Sequence, residues 1–150
     1  MKAVVQRVSS AACRVDGQVT GEIGRGFLVL LGVWAGDTDD DCRWLADKVA
    51  GLRIFEDDAD KLNLSLSDVD GAVLVVPNFT IAGNCAKGNR PSFIAAERPQ
   101  RATELFELFK DTLKARGLPV ASGIFGADMK VELVNDGPIT LIVEKGENKF

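Results

Sequence analysis

The chain has 150 residues, of which 46% are hydrophobic and 27% charged, a composition typical of one soluble globular domain with a sizeable core. Lys and Arg number 18 against 22 Asp and Glu, so the net charge is −4 and does not favour bulk binding to nucleic acid. The sequence contains no histidine, which excludes Ser–His–Asp triads, Cys–His dyads and imidazole-based zinc sites. An enzyme of this composition must move protons with another group or with its substrate.

The cysteines and the apolar segments indicate the compartment. Cys13, Cys42 and Cys85 are scattered and form no Cys-x-x-Cys motif, so neither a disulfide framework nor a thiolate metal site is indicated. No stretch reads as a secretory signal or is long enough to cross a bilayer. We therefore expect a cytoplasmic protein with no membrane partner.

The first third of the chain is rich in strands. Residues 3–8 are apolar and β-branched, and Asp16-Gly17 between residues 13–15 and 18–23 predicts a hairpin with a type I′ turn. Residues 27–33 are continuously apolar, which is typical of a central strand covered on both faces.

A first helix is predicted next. The acidic residues 37–41 supply capping side chains, and residues 53–55 after the helix look like a short strand. One apolar stripe recurs at helical spacing, formed by Cys42, Leu45, Ala46, Val49 and Leu52.

The second half repeats this alternation. Residues 72–76 predict a buried strand, 82–91 a polar loop, and 99–116 a helix with Gly117 at its end. The apolar face of this helix comprises Ala102, Leu105, Phe106, Phe109 and Leu113.

Two strands close the chain. Alternation through Met129, Val131 and Leu133 predicts a half-buried strand, residues 135–138 a turn, and residues 139–144 the last strand. The fold class is therefore α+β, with one domain over residues 1–145 and a flexible tail over 146–150.

Two polar segments are candidate sites. Asn78 and Thr80 follow a buried strand directly, where side chains often line a site, although a strand end with internal hydrogen bonds is the simpler interpretation. Gly137-Pro138 between strands has special backbone geometry, and an ordinary tight turn would also explain it.

Taken together, these segments resemble the D-aminoacyl-tRNA deacylase (D-tyrosyl-tRNA deacylase) family over almost the whole chain. The matching pieces, in order, are residues 1–8, Gly24 with Gly26, 30–33, Arg53-Ile54-Phe55, Lys61-Leu62-Asn63, Phe79-Thr80, Asn89-Arg90-Pro91-Ser92-Phe93, 123–129 and 134–140.

The resemblance implies a fold and an activity. It implies a homodimer with a barrel-like mixed and antiparallel sheet, two main helices packed on it, and sites at the subunit interface. The expected reaction is hydrolysis of the ester between a D-amino acid and the tRNA 3′ end, with glycyl-tRNA also accepted. The expected partner is thus aminoacyl-tRNA and not DNA, with no metal or cofactor.

The resemblance also implies residue roles. Asn78, Phe79 and Thr80 correspond to the catalytic motif, and the terminal ribose 2′-hydroxyl with backbone N–H groups near Phe79 and Thr80 would drive the chemistry. In the family the peptide corresponding to Gly137–Pro138 is cis, and it excludes L side chains from the partner's pocket. The other expected substrate-binding residues are Met129 with Phe79 at the terminal adenosine, Asn135, Phe125, and Arg7 as a buttress of the Gly-Pro segment.

Departures in the first family motif define the alternatives. The family has Ser-Gln where this chain has Pro77-Asn78, and Leu where it has Ile81, whereas the second motif is intact apart from Ile139 in place of Val. A related animal group also begins the first motif with Pro, so one alternative is specificity shifted to L-Ala or Gly on tRNA. The other is a protein that holds tRNA ends without turnover.

Overall fold

The computed structural model describes residues 1–147, so residues 148–150 of the predicted tail lie outside the described residues. The elements in chain order are β1 (Lys2–Val15), β2 (Gln18–Ile23), β3 (Gly26–Gly32), α1 (Asp39–Ala50), β4 (Phe55–Glu56), β5 (Leu62–Leu64), β6 (Ala72–Pro77), a 3-10 helix (Phe79–Ala82), α2 (Pro99–Ala115), β7 (Val120–Ser122) and β8 (Lys130–Glu144).

β1 organises the main sheet. One of its edges pairs antiparallel first with β3 and then with β2, and its other edge pairs antiparallel with β8 along nearly its whole length. β3 continues the sheet through parallel pairing with β6, which pairs in parallel with β7. The sheet curls until β2 meets β7, where a Cβ on Gly21 would lie 2.8 Å from the Ser122 carbonyl oxygen. The result is a nearly closed, barrel-like mixed sheet.

The sheet is covered on both faces by apolar side chains. One cluster fills the inside of the curled sheet and includes Val8, Cys13, Leu28, Leu74 and Val76. The larger cluster lies between the sheet and the two helices; its biggest members are Phe27, Phe55, Leu45, Phe106 and Phe109. Neighbouring β3 residues face opposite clusters, so the continuous apolar run at residues 27–33 is explained by burial on both faces.

Most of the predicted elements are confirmed, and so is the single α+β domain. The Asp16-Gly17 turn has both residues at positive φ, at 49° and 76°, as a type I′ turn requires. Within the acidic run before α1, Thr38 is the N-cap and forms a capping box with Asp41. Asp37 has a different partner, because its carboxylate lies 2.6 Å from the Met1 ammonium nitrogen.

Several boundaries differ from the predictions. Residues 3–8 and 13–15 belong to one 14-residue strand, β1, because its pairing with β8 continues past the polar Ser9 and Ser10. The strand predicted at residues 53–55 is only Phe55–Glu56, and the Arg53 side chain lies across the hairpin and donates to the Asn63 carbonyl. Leu52 lies beyond the end of α1. No strand was predicted at β5 or β7, each three residues long.

The predicted turn at residues 135–138 is also wrong. These residues lie inside β8, which pairs with β1 before and after them, so they form an excursion from one strand and not a connection between two. Over residues 1–147, no helix combines the length and apolar character needed to cross a membrane.

Candidate active site

The first candidate segment lies where two parallel strands end. β3 and β6 run side by side, so their carboxyl ends reach the same edge of the sheet. The Asn78 N–H donates to the Leu31 carbonyl at 2.9 Å, which extends the pairing by one residue beyond β6. The chain then turns into the 3-10 helix, and polar groups are delivered to the rim of the core.

Asn78 caps this turn with its side chain. Its Oδ1 accepts from the Thr80 backbone N–H at 3.2 Å and from the Thr80 hydroxyl at 2.5 Å. Both hydrogens that Thr80 can offer are therefore held by one amide oxygen, which cannot remove a proton at neutral pH. Within residues 1–147, the Thr80 hydroxyl donates to this amide oxygen and to no base that would activate it as a nucleophile.

The same contacts change the expected oxyanion donors. The Thr80 N–H is occupied by Asn78, so it is not free to hold a developing negative charge. Within residues 1–147, neither the Phe79 N–H nor the Asn78 side-chain NH₂ has a hydrogen-bond acceptor. These two donors are therefore available to a ligand at this turn.

Two cavities meet at Phe79. The first has a volume of about 500 Å³, and the second a volume of about 420 Å³. Asn78, Phe79 and Gly126 line both cavities. The first is otherwise walled mainly by apolar side chains, including Leu31, Val33, Phe93, Ala102 and Phe125; the second is walled by Leu30, Val76, Pro77, Met129 and Val131 among others.

Phe79 is the exposed centre of this cleft. Its side chain is 58% exposed although it lies between two apolar cavities, and its ring meets Phe93 edge to face at a centroid distance of 5.3 Å. An exposed aromatic ring with a hydrogen-bonding turn beside it can stack on a planar ligand. The structure thus places Asn78, Phe79, Met129 and Phe125 around one cleft.

Sequence reasoning missed Phe93 and Leu31 as wall residues. The sequence indicated Phe93 only as part of a segment that matches the family, and Leu31 only as part of a buried strand. The pairing of β3 with β6 brings Leu31 to the cleft, and no local sequence pattern predicts this contact.

The second candidate segment is a fixed excursion from β8. Asn135 pairs with Val8 and Thr140 with Gln6, so the residues between them leave the regular ladder. The Asn135 side chain bridges the base, accepting from the Ile139 N–H at 2.8 Å and donating to the Ile139 carbonyl at 3.2 Å. Asn135 therefore shapes the excursion with contacts inside the chain.

Arg7 anchors the same excursion from below. It is 3% exposed, and its Nε donates to the Asp136 carbonyl at 2.8 Å. Its Nη1 donates to the Ile54 carbonyl at 2.9 Å and to the Glu56 carboxylate at 2.7 Å. The hydrogen bond from Arg7 holds the pKa of Glu56 below its usual range.

The tip of the excursion is exposed. The Gly137–Pro138 peptide is cis, and both residues are solvent-accessible. Gly137 has φ +152°, and a Cβ there would lie 2.6 Å from the Ile139 nitrogen, so the position does not accommodate a side chain without a shift.

One chain does not bring the two segments together. The excursion contacts Arg7 on β1. Arg7 pairs with Phe27 on β3, and Phe27 pairs with Val73 on β6, four residues before Pro77. It also lies three strands across from β6. Strand rise and spacing put the excursion and the cleft roughly 20 Å apart.

The three cysteines do not line either cavity of the cleft. Burial raises the pKa of the Cys42 thiol to about 12, and Cys13 is also buried. Cys85 is exposed but lines neither cavity. Among residues 1–147, no cluster of three or more Cys, Asp or Glu side chains could hold a metal ion.

The fold and the site together define a barrel-like α+β protein whose cleft presents main-chain and amide donors beside an exposed aromatic ring. The profile of the family described as D-Tyr-tRNA(Tyr) deacylase matches residues 4–144. The chain belongs to this family.

Curated relatives agree with this assignment. A D-aminoacyl-tRNA deacylase of Geobacter sulfurreducens is 60% identical over 144 residues, covering 96% of this chain and 95% of the relative. One of Pelobacter propionicus is 57% identical, covering 97% of this chain and 100% of the relative.

Solved structures have the same fold. A c-Myc DNA unwinding element binding protein is 37% identical with a TM-score of 0.91, over 98% of this chain and 100% of that chain. A probable eukaryotic D-amino acid tRNA deacylase has a TM-score of 0.83 at 19% identity, over 96% of this chain and 98% of that one, and supports the fold alone.

Proposed function

We propose that this protein hydrolyses the ester that joins a D-amino acid to the 3′-terminal ribose of tRNA. The observation that carries this proposal is identity of 60% with a curated D-aminoacyl-tRNA deacylase over 96% of the chain. The reaction adds the hydroxyl of water to the carbonyl carbon, breaks the ester C–O bond and leaves the second proton on the ribose oxygen. The products are a free D-amino acid and a reusable tRNA.

The cleft supports a division of roles. The terminal adenine stacks on Phe79 and contacts Met129 in the second cavity, while Phe125 helps to wall the first. The ester then lies where the two cavities meet. The Phe79 N–H and the Asn78 amide, which have no acceptor within residues 1–147, donate to its carbonyl oxygen and stabilise the tetrahedral oxyanion.

The general base comes from the substrate. Thr80 donates its hydroxyl hydrogen to Asn78, and the chain has no histidine. The adjacent 2′-hydroxyl of the terminal ribose orients the attacking water and relays its proton. This route requires no metal and no cofactor.

Gly137-Pro138 selects the hand of the amino acid from a second subunit. The excursion is exposed and held at its base by Arg7 and Asn135, but it lies far from the cleft of its own chain. In a homodimer it enters the partner's cleft and occupies the space that an L side chain would need. A D side chain points elsewhere and glycine has none, so both are accepted, including glycine mischarged on alanine tRNA. Discrimination by collision requires rigidity, which the anchored base provides.

The cytoplasm, where tRNA is charged and used, is the compartment in which this activity operates.

A second specificity has one observation in its favour. Pro77 and Asn78 replace the family's Ser and Gln beside the ester, as Pro does in the animal-type group. Under this alternative, the enzyme removes L-Ala or Gly from tRNA.

A single-turnover assay tests the proposed reaction. Excess enzyme is mixed with D-tyrosyl-tRNA, and release of D-tyrosine is followed over time. We expect release far faster than spontaneous hydrolysis. Release at the spontaneous rate, with the tRNA still bound, would instead identify a protein that holds tRNA ends without turnover.

A further inference from the structure

A short hairpin stands beside the cleft. Asn84 and Ser92 exchange two backbone hydrogen bonds, at 2.8 Å and 3.0 Å, and close a neck below residues 85–91. The Asn84 side chain also accepts from the Ala86 N–H at 2.8 Å. The neck thus fixes where the exposed tip of this loop, here called the 84–92 hairpin, emerges from the molecule.

The 84–92 hairpin is attached to the wall of the cleft. Phe93 follows it directly, lines the first cavity and packs edge to face on Phe79. Gly83 precedes it, and a Cβ at that position would lie 2.8 Å from the Phe93 ring. Because both ends pack against this aromatic pair, the tip is held next to the position of the terminal adenosine.

Three cations of this region form no ion pair within residues 1–147. Elsewhere in the described chain, Arg14, Arg43, Arg101 and Arg116 pair with carboxylates, while Arg25 lies over the Phe55 ring and Arg53 donates to the Asn63 carbonyl. Within residues 1–147, no carboxylate lies within ion-pair distance of Lys87, Arg90 or Arg98. Residues 82–98 contain one carboxylate, Glu97, whose oxygens accept from the backbone N–H groups of Arg98 at 2.7 Å and Gly36 at 3.4 Å.

Arg98 extends this charge to the cleft itself. Its residue lines the first cavity, while Lys87 and Arg90 are exposed on the 84–92 hairpin. Three cations without an ion pair within residues 1–147 therefore border one side of the cleft, against the single carboxylate of Glu97 in the wall of the first cavity. Such a local arrangement attracts a polyanion to one edge of a protein whose net charge is −4.

We propose that Lys87 and Arg90, with Arg98 at the rim, bind phosphates of the unpaired 3′ end of tRNA, on the nucleotides preceding the terminal adenosine. This inference rests on the proposed function for the placement of that adenosine against Phe79. Arg90 and Arg98 can each grip a phosphate with two N–H donors, and Lys87 acts as a mobile point charge. The contacts bind the RNA by charge and do not read its bases.

The test measures binding first and hydrolysis second. The binding probe is an uncharged RNA stem-loop with an unpaired CCA 3′ end, titrated at several salt concentrations. The variant K87Q/R90Q is compared with K114Q/R116Q, which removes the same charge. Lys114 is in the last turn of α2, about 22 Å from the end of that helix at the cleft. Within residues 1–147, the ion pair that Arg116 forms is with Asp47 at the surface.

K87Q/R90Q should weaken binding by about tenfold and reduce the slope of log K against log salt by about 1.4, as expected for two lost contacts to a single strand. K114Q/R116Q should match the wild type in both measurements. Equal binding and equal slopes for the two variants would overturn the proposal, as would a K87Q/R90Q variant that binds tightly with an unchanged slope.

A second readout compares two esters, D-tyrosyl-tRNA and D-tyrosyl-adenosine, which lacks the preceding phosphates. For K87Q/R90Q, the ratio of kcat/KM for the tRNA ester to that for the adenosine ester should fall about tenfold. An equal loss on both esters would contradict phosphate binding. Wild-type inactivity on both would refute the proposed function, and the binding measurement would still decide this inference.

Discussion

At the scale of single residues, Asn78 determines what Thr80 can do. One amide oxygen accepts both the backbone and the hydroxyl hydrogen of Thr80, so the threonine is part of the turn's internal hydrogen bonding. The sequence could predict that polar groups follow a buried strand at this point. It could not predict which of them are occupied, because the pattern depends on the 3-10 geometry of four residues that has no sequence period of its own.

Replacing Thr80 tests this assignment. Thr80→Ala and the isosteric Thr80→Val should each retain activity within about tenfold of the wild type, since the hydroxyl removes no proton and attacks no bond. The measurement is single-turnover release of D-tyrosine from saturating D-tyrosyl-tRNA. A loss beyond about a thousandfold in both variants, with normal folding and tRNA binding, would make Thr80 the nucleophile.

At the scale of elements, the Gly-Pro excursion is a departure from one strand. Locally, residues 135–138 have the composition of a turn, and a turn was the natural prediction from their sequence. The ladder with β1 resumes beyond them because Leu141 and Val143 pack against the core and hold the register. The return of β8 to pairing with β1 depends on residues distant in sequence, so a local sequence pattern cannot predict it.

Gly137→Ala tests the function of the excursion. The added Cβ collides with the Ile139 nitrogen and forces Pro138 from its place, so we expect the preference for D over L substrates to fall at least about tenfold. The measurement is the ratio of single-turnover rates on D- and L-tyrosyl-tRNA. Gly24→Ala is the matched control, because a Cβ at Gly24 meets nothing within 4 Å. An unchanged ratio of D to L rates in Gly137→Ala would show that the excursion does not select between D and L substrates.

At the scale of the whole molecule, the fold class could be predicted from the sequence, but the contact that nearly closes the sheet could not. Continuous apolar runs identify β3 and β6 as strands buried on both faces. The closing contact of Gly21 with Ser122 joins two strands whose own sequences are short or polar. Whether a short segment forms a strand depends on its neighbours in space, so the periodicity of the sequence does not predict β5 or β7.

The charge inventory of the whole molecule predicts a pH profile. Backbone N–H groups hold the pKa of Asp41, Asp57 and Asp68 below the usual 3.8, and the Arg7 side chain holds that of Glu56 below 4.5. A depressed folded pKa contributes stability above the unfolded pKa and loses it as the pH falls through the folded value. The free energy of unfolding should therefore drop below about pH 4.5, and it should be flat between about pH 5.5 and 7, where no histidine titrates.

Urea denaturation at pH 7, 5.5, 4 and 3 measures this profile. Glu56→Gln should lose less stability than the wild type between pH 5.5 and pH 3, because one of the protonating groups is absent. Equal acid losses in the two proteins would show that the Arg7–Glu56 pair does not contribute to the pH dependence.

The central claim is that this protein hydrolyses an ester and chooses by chirality. The most direct measurement is parallel deacylation of D-tyrosyl-tRNA, L-tyrosyl-tRNA and glycyl-tRNA by the same enzyme under single-turnover conditions. We predict rapid release of D-tyrosine and glycine and no release of L-tyrosine above the spontaneous rate. Equal rates on the D and L esters would contradict the account.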